Sequence, residues 1–157
     1  MNPVAPPNPD FAAATRALFA SQPLMGLLGA APENVSPGRV ELALPYRADL
    51  AQQDGFLHAG VVTALLDNAC GGAAFTLMPP GSGVLSVEFK VNLLAPAAGS
   101  SFVARAEVRR AGRTLSVCQG ELFARGEGAK GGAKDGAKDG AEKLVALMQA
   151  TMMRVER

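Results

Sequence analysis

Between Arg39 and Tyr46 the chain alternates, with Val40, Leu42 and Leu44 set against Glu41 and Ala43. A period of two is the mark of a strand with one buried face. From Ala59 to Leu77 the period changes. At about 100° per residue, Val61, Val62, Leu65, Leu66, Ala69, Ala73 and Thr76 share one broad arc. Gly60, Thr63, Asp67, Gly71 and Ala74 occupy the opposite arc. This predicts one long helix, with a bulky face for a sheet and a face of small residues around a single carboxylate. Pro79-Pro80-Gly81 stops it. Beyond that point the pattern is extended. Val84–Leu94 alternates, Pro96–Gly99 makes a turn, and Ser101–Arg110 and Thr114–Arg125 flank a hairpin signal at Ala111-Gly112-Arg113. The last segment, Lys143–Arg157, has the Leu and Met content of a helix, but it follows a strand and reads as the second arm of a long hairpin.

Ahead of these elements, residues 1–9 hold four prolines and form a loose lead-in. Phe11–Phe19 is expected to be a short Ala-rich helix N-capped by Asp10, and a second turn is expected over Leu24–Leu28 after Pro23. Residues 126–141 (GEGAKGGAKDGAKDGA) carry no large apolar side chain and are expected to be a flexible loop within the last hairpin. One strand, a long helix and four strands in meander give a single α+β domain over residues 1–157, a curved antiparallel sheet wrapped around one central helix. A sheet of about five strands leaves an edge and a face needing cover, so a dimer is expected.

Composition narrows the function. The chain of 157 residues is 48% hydrophobic and 18% charged, which excludes global disorder and fits one core. A net charge of +1 offers no field for a nucleic acid backbone. Cys70 and Cys118 match no metal-ligand spacing and are expected to be free thiols in a reducing compartment. The N-terminus lacks the pattern of a signal peptide, and the apolar stretch Ala59–Met78 is interrupted by Thr63, Asp67, Asn68 and three glycines. No membrane span and a cytoplasmic location are therefore expected.

The chemistry concentrates in Gln52–Ala74 (QQDGFLHAGVVTALLDNACGGAA). Asp67 lies mid-helix among uncharged neighbours, where burial of a carboxylate is costly. It is either an Asp at a solvent-facing edge or a base or nucleophile in a partly dry cleft. Thr63, one turn earlier, is placed to hydrogen-bond it. His58, the only histidine, precedes the helix; it is either a structural hydrogen-bonder or a group that positions substrate, and nothing completes a metal site with it. The amides of Ala59 and Gly60 at the helix start are placed to polarise a carbonyl like an oxyanion hole. Gln52 and Asp54 are either ligand-facing or satisfy their own loop. Arg109, Arg110 and Arg113 at the hairpin turn are either solvated or suited to phosphate groups.

These residues carry a resemblance. HAGVVTALLDNACGGAA is similar to the H-G-G-x-x-x-x-L-x-D-x-A motif of hotdog-fold acyl-CoA thioesterases of the PaaI-like group, with His58 and Asp67 at the motif's spacing and the strand VLSVEFKVNLLAPA following. The similarity runs over roughly Val40–Arg125 and the last strand. It implies a hotdog fold and a homodimer, or dimer of dimers, with shared sites. It also implies that Asp67 is the base or nucleophile, that the Ala59 amide stands where the family commonly has a glycine, and that His58 steadies the leaving thiolate or the loop. By the same resemblance Gln52 orients carbonyl or water, and Ser86 binds water. Coenzyme A is then part of the substrate, and no metal or redox cofactor is needed. A hydratase or dehydratase acting on the same thioesters and a non-catalytic acyl-CoA binding module are the rival readings.

Overall fold

In a computed structural model, residues 5–126 and 141–156 are described. Two short helices come first, α1 (Phe11–Ala20) and α2 (Pro23–Leu28), followed by strands β1 (Ala31–Ser36) and β2 (Arg39–Pro45). A 3-10 turn at Ala48–Leu50 leads to the long helix α3 (Ala59–Phe75). Strands β3 (Ser82–Leu93), β4 (Ser101–Ala111), β5 (Leu115–Arg125) and β6 (Glu142–Glu156) follow. The six strands form one antiparallel sheet in the order β1-β2-β4-β5-β6-β3, and α3 packs against β2 through β6. This is the α+β hotdog arrangement.

Strand alternation explains why the helix sits where it does. In β5, Ser116, Cys118, Leu122 and Ala124 are buried, and Val40, Leu42 and Leu44 are buried from β2. Against them α3 buries Val62, Leu65, Leu66, Ala69, Cys70 and Ala73. Contact is tight at Gly120, where a Cβ would lie 3.0 Å from Cys70 Sγ and 3.1 Å from Leu66 Cδ2. A glycine there lets the helix lie directly on the middle of the sheet. At the other end of α3, Thr76 Oγ1 accepts the Gly38 N–H at 2.7 Å and donates to the Ala73 carbonyl at 2.7 Å. Gly38 is the left-handed residue of the β1–β2 turn (φ 72°), so that turn is tied to the helix end.

Several expectations change. The sheet has six strands; β1 escapes the pattern because Ala31–Ser36 (APENVS) contains Pro32, has Val35 as its only large apolar residue, and pairs irregularly near Pro32. β3–β6 is not a simple meander. β3 crosses to the far edge and pairs with β6, while β4 pairs with β2. Alternation within a strand says which face is buried but nothing about its neighbours. α3 ends at Phe75, and Gly71 and Ala74 on its small-residue face are buried. Asp10 takes the N-cap position of α1 without a side-chain capping bond; Asn8 Oδ1 instead accepts the Asp10 amide at 3.0 Å. Residues 5–9 hold no helix or strand, whereas the expected 126–141 loop falls, apart from its two end residues, outside the described residues.

The two sheet edges differ. α1 packs against β1, whereas β3 presents Leu85 (51%), Val87 (51%), Phe89 (44%) and Leu93 (55%) to solvent. A long apolar edge without cover is a pairing surface.

Candidate active site

Asp67 projects from the middle of α3 toward β3 and is half-buried. Ser86 Oγ donates to its Oδ1 at 2.6 Å. A hydroxyl bonded to a carboxylate at that length is charge-assisted and fixes one oxygen, while Oδ2 has no donor among the described residues. Thr63 does not serve Asp67 as expected. Its hydroxyl donates to the Ala59 carbonyl at 2.8 Å, the usual local bond of a helical threonine. Around Asp67 opens a cleft of about 660 Å3 that also takes in Ser86, Gly71, Gly72, Leu24 and Leu85. The part played by α1 and α2 in its wall, through Leu18, Pro23 and Leu24, has no counterpart in the sequence reading.

The start of α3 is organised by His58. As N-cap residue it has extended backbone (φ −62°, ψ 138°), and its Nδ1 accepts the Gly60 N–H at 2.9 Å. Its carbonyl accepts from Val61 N (2.9 Å) and Val62 N (3.0 Å). The Gly60 amide is therefore occupied, contrary to the expectation of two free amides, and Ala59 N–H alone has no acceptor among the described residues. A neutral imidazole accepting at Nδ1 carries its proton on Nε2, so the ring keeps one outward donor. Gly60 permits this fold-back, because a Cβ there would lie 3.1 Å from Nδ1.

Gln52 turns its side chain inward on its own loop. Its Oε1 accepts the Asp54 amide, its Nε2 reaches Asp54 Oδ2 at 3.4 Å, and its carbonyl accepts from Gly55 N at 3.0 Å. Of the two readings of Gln52 and Asp54, the described contacts match the loop-satisfying one. Gln52 nevertheless borders a second, mainly apolar pocket of about 450 Å3 with Phe56, Ala59, Val62, Leu93 and Leu94. Asp67 follows Ala59 by eight positions, or about 12 Å along the axis at about 1.5 Å per residue. One carbonyl cannot meet both groups of the same chain.

Arg109, Arg110 and Arg113 line neither cavity. Arg109 Nε donates to Gln119 Oε1 (3.1 Å) and Nη1 pairs with Glu107 (3.3 Å), on the sheet face turned away from α3. Arg110 and Arg113 are exposed at the β4–β5 tip. Ser116, Met152 and Ser86 are register partners across β5, β6 and β3. Ser116, next to the tip, therefore lies at the same end of the sheet as Ser86, about 10 Å from it across two strand spacings. Cys70 and Cys118 are buried and unpaired; burial pushes both thiols up, Cys118 to about 12. No cluster of three or more His, Cys, Asp or Glu among the described residues is placed to hold a metal. No described helix is long and apolar enough to cross a membrane.

A hotdog sheet with a carboxylate at mid-helix and a free amide at the helix start defines a class. The sequence model of the thioesterase superfamily matches residues 54–129, and the chain belongs to that superfamily of thioester hydrolases. A thioesterase family protein from Silicibacter pomeroyi is 47% identical with a TM-score of 0.84, the match covering 94% of this chain and 99% of that one. A Halobacterium salinarum protein bearing a provisional esterase name is 30% identical over 115 residues, 70% of this chain and 76% of the relative. The E. coli PaaI protein, from the phenylacetic acid degradation operon, shares the fold at 19% identity (TM-score 0.75, 93% and 94% covered).

Proposed function

We propose that the protein is an acyl-CoA thioesterase working as a homodimer with two sites, each built from both chains. The observation that carries this reading is the Asp67–Ser86 pair, held in a cleft beside the bare β3 edge. The cleft borders the start of β3, and the Ala59 pocket borders its end at Leu93. The reading requires antiparallel pairing of two β3 edges about a two-fold axis between Phe89 and Lys90, the register that sets Ser86 of one copy opposite Leu93 of the other. The 12 Å that separates the two groups within one chain is thereby bypassed, and the exposed apolar row is covered.

In that site the Ala59 amide of one copy polarises the thioester carbonyl. Asp67 of the other copy, its Oδ1 held by Ser86, takes a proton from water as the water oxygen bonds to the carbonyl carbon. Direct attack by the carboxylate gives the same net reaction after hydrolysis of the resulting anhydride. The C–S bond then breaks, the proton passes to sulfur, and the products are a carboxylic acid and coenzyme A. In this reading the remaining Nε2–H of His58 steadies the thiolate. Thiolates leave readily, so the reaction requires water and the thioester, with no metal or redox group. Arg110 and Arg113, at the same sheet end as Ser86, are proposed to meet the CoA phosphates; Arg109 has its own partners. Buried free thiols suit a cytoplasmic setting.

Thiol release from a panel of acyl-CoA esters by wild type and Asp67→Asn is the test. Release that falls at least about a thousandfold in the variant supports the reading. Undiminished release removes Asp67 from the chemistry.

A further inference from the structure

Gly71 and Gly72 are neighbours inside α3, where a glycine is less favourable than alanine. For Gly72 the structure supplies a reason, since a Cβ there would run into the Phe19 ring. That notch seats Phe19 (4% exposed) and with it α1. For Gly71 there is no such reason. Its backbone is not left-handed, and a Cβ would meet no atom within 4 Å. Gly71 stands one turn after Asp67 on the same helix face, and it borders the 660 Å3 cleft with Asp67 and Ser86. The volume its side chain would fill is cleft volume. Leu24 of α2 also lines the cleft and is 45% exposed, and Leu85 lines it beside Ser86. The lining thus mixes apolar side chains, Leu24 and Leu85 among them, with the polar Asp67, Ser86, Ser21 and Gln22, and Gly71 leaves room between them.

We infer that Gly71 is a specificity-determining residue, whose missing side chain keeps room beside Asp67 for a bulky apolar acyl group, a ring or a chain well beyond acetyl. The inference rests on the acyl-CoA thioesterase reading above. A cleft of about 660 Å3 falls within the size range of small-molecule pockets. The α1–α2 segment, pinned through Phe19 in the Gly72 notch, supplies the wall that such a group would cover.

The full-length protein is tested as wild type, Gly71→Ala and Gly71→Leu against acetyl-CoA, hexanoyl-CoA and benzoyl-CoA. Both replacements are better helix formers than glycine, so Tm is expected at or above wild type. The ratio of kcat/KM for benzoyl-CoA to that for acetyl-CoA is expected to fall at least about tenfold in Gly71→Leu, and less in Gly71→Ala. Parallel change across all three esters overturns the inference, as does loss of the dimer on size exclusion without a change in that ratio. If wild type releases thiol, Asp67→Asn does not, and the ratio stays put, this inference falls while the thioesterase reading stands. If wild type hydrolyses none of the esters, the reading falls and takes the inference with it.

Discussion

Ser86 Oγ bonds Asp67 Oδ1 at 2.6 Å, joining the edge strand to the central helix through the one carboxylate on that helix. Two elements distant in sequence are coupled at the proposed reacting group, and Oδ2 has no donor among the described residues. Ser86→Ala should therefore lower kcat by about 10- to 100-fold, the worth of one hydrogen bond to a charged group. KM and Tm should change little. Steady-state kinetics beside a thermal melt checks this, and an unchanged kcat would reduce Ser86 to a packing residue.

His58 caps α3 through Nδ1, and in the proposed reaction its Nε2–H steadies the thiolate. His58→Ala should lose both, with a cost in stability of about 0.5–2 kcal/mol. Asparagine is a strong N-cap residue that lacks the outward imidazole. His58→Asn should thus recover the Tm of wild type while thiol release stays depressed. Full recovery of both would mean that the ring acts only as a cap.

On the sheet face turned from α3, Arg105 Nη2 and Arg125 Nε reach Glu142 Oε1 at 2.8 Å and 2.9 Å, and Arg125 also pairs with Glu33. The Arg105 hydrogen bond, followed by that of Arg125, holds the Glu142 carboxyl below its usual range. Arg39 does the same for Glu107. A lowered folded-state value contributes stability that is present above the ordinary glutamate range and lost as pH falls through the lowered value. Tm should fall on acidification through that window, and Glu142→Gln should flatten the fall. At neutral pH the variant should cost only about 1 kcal/mol, because these side chains are partly solvated.

Gly120 lies under Cys70 and Leu66 with no spare room. Gly120→Ala should destabilise by about 1–3 kcal/mol through overpacking, despite adding a single methyl group. Chemical denaturation gives the number. A neutral outcome would show that α3 shifts easily on the sheet.

If Arg110 and Arg113 meet phosphate groups, replacing both by Ala should raise KM for acyl-CoA about tenfold with kcat nearly kept, and wild-type KM should rise with salt. A minimal thioester lacking the nucleotide should not sense the change.

The α3 helix and five of the six strands were legible, most of them because burial on one face writes a local period into the chain. β1 was not, since an edge strand with one large apolar residue has no face to declare. Strand order was also hidden, because β3 travels to the far edge through tertiary pairing with β6 and not through anything in its own alternation. At the site, Asp67 stood out as a carboxylate among apolar neighbours. Ser86 entered only through resemblance to a family, as a residue that binds water; its bond to Asp67 was not foreseen, since only the folded sheet brings the two together. Thr63 was misassigned because a helical threonine finds its own turn's carbonyl first. Gly60 was misassigned because a histidine ring one residue before the helix can fold back and take the amide. The α1–α2 wall left one trace in the sequence, the Gly71-Gly72 pair, whose meaning depends on where Phe19 lands.

The most direct test of the shared site uses two variants that are each expected to be inactive alone. Proline is tolerated at the first position of a helix and removes only the amide N–H, so Ala59→Pro should fold and lose the proposed carbonyl donor. Asp67→Asn loses the carboxylate. When the two are refolded together, half of the dimers should be mixed, and each mixed dimer should hold one intact site of two. Thiol release should then return to about a quarter of wild type. Mixtures that stay inactive, or an Ala59→Pro protein as active as wild type, would contradict a site assembled from the Asp67 of one chain and the Ala59 amide of the other.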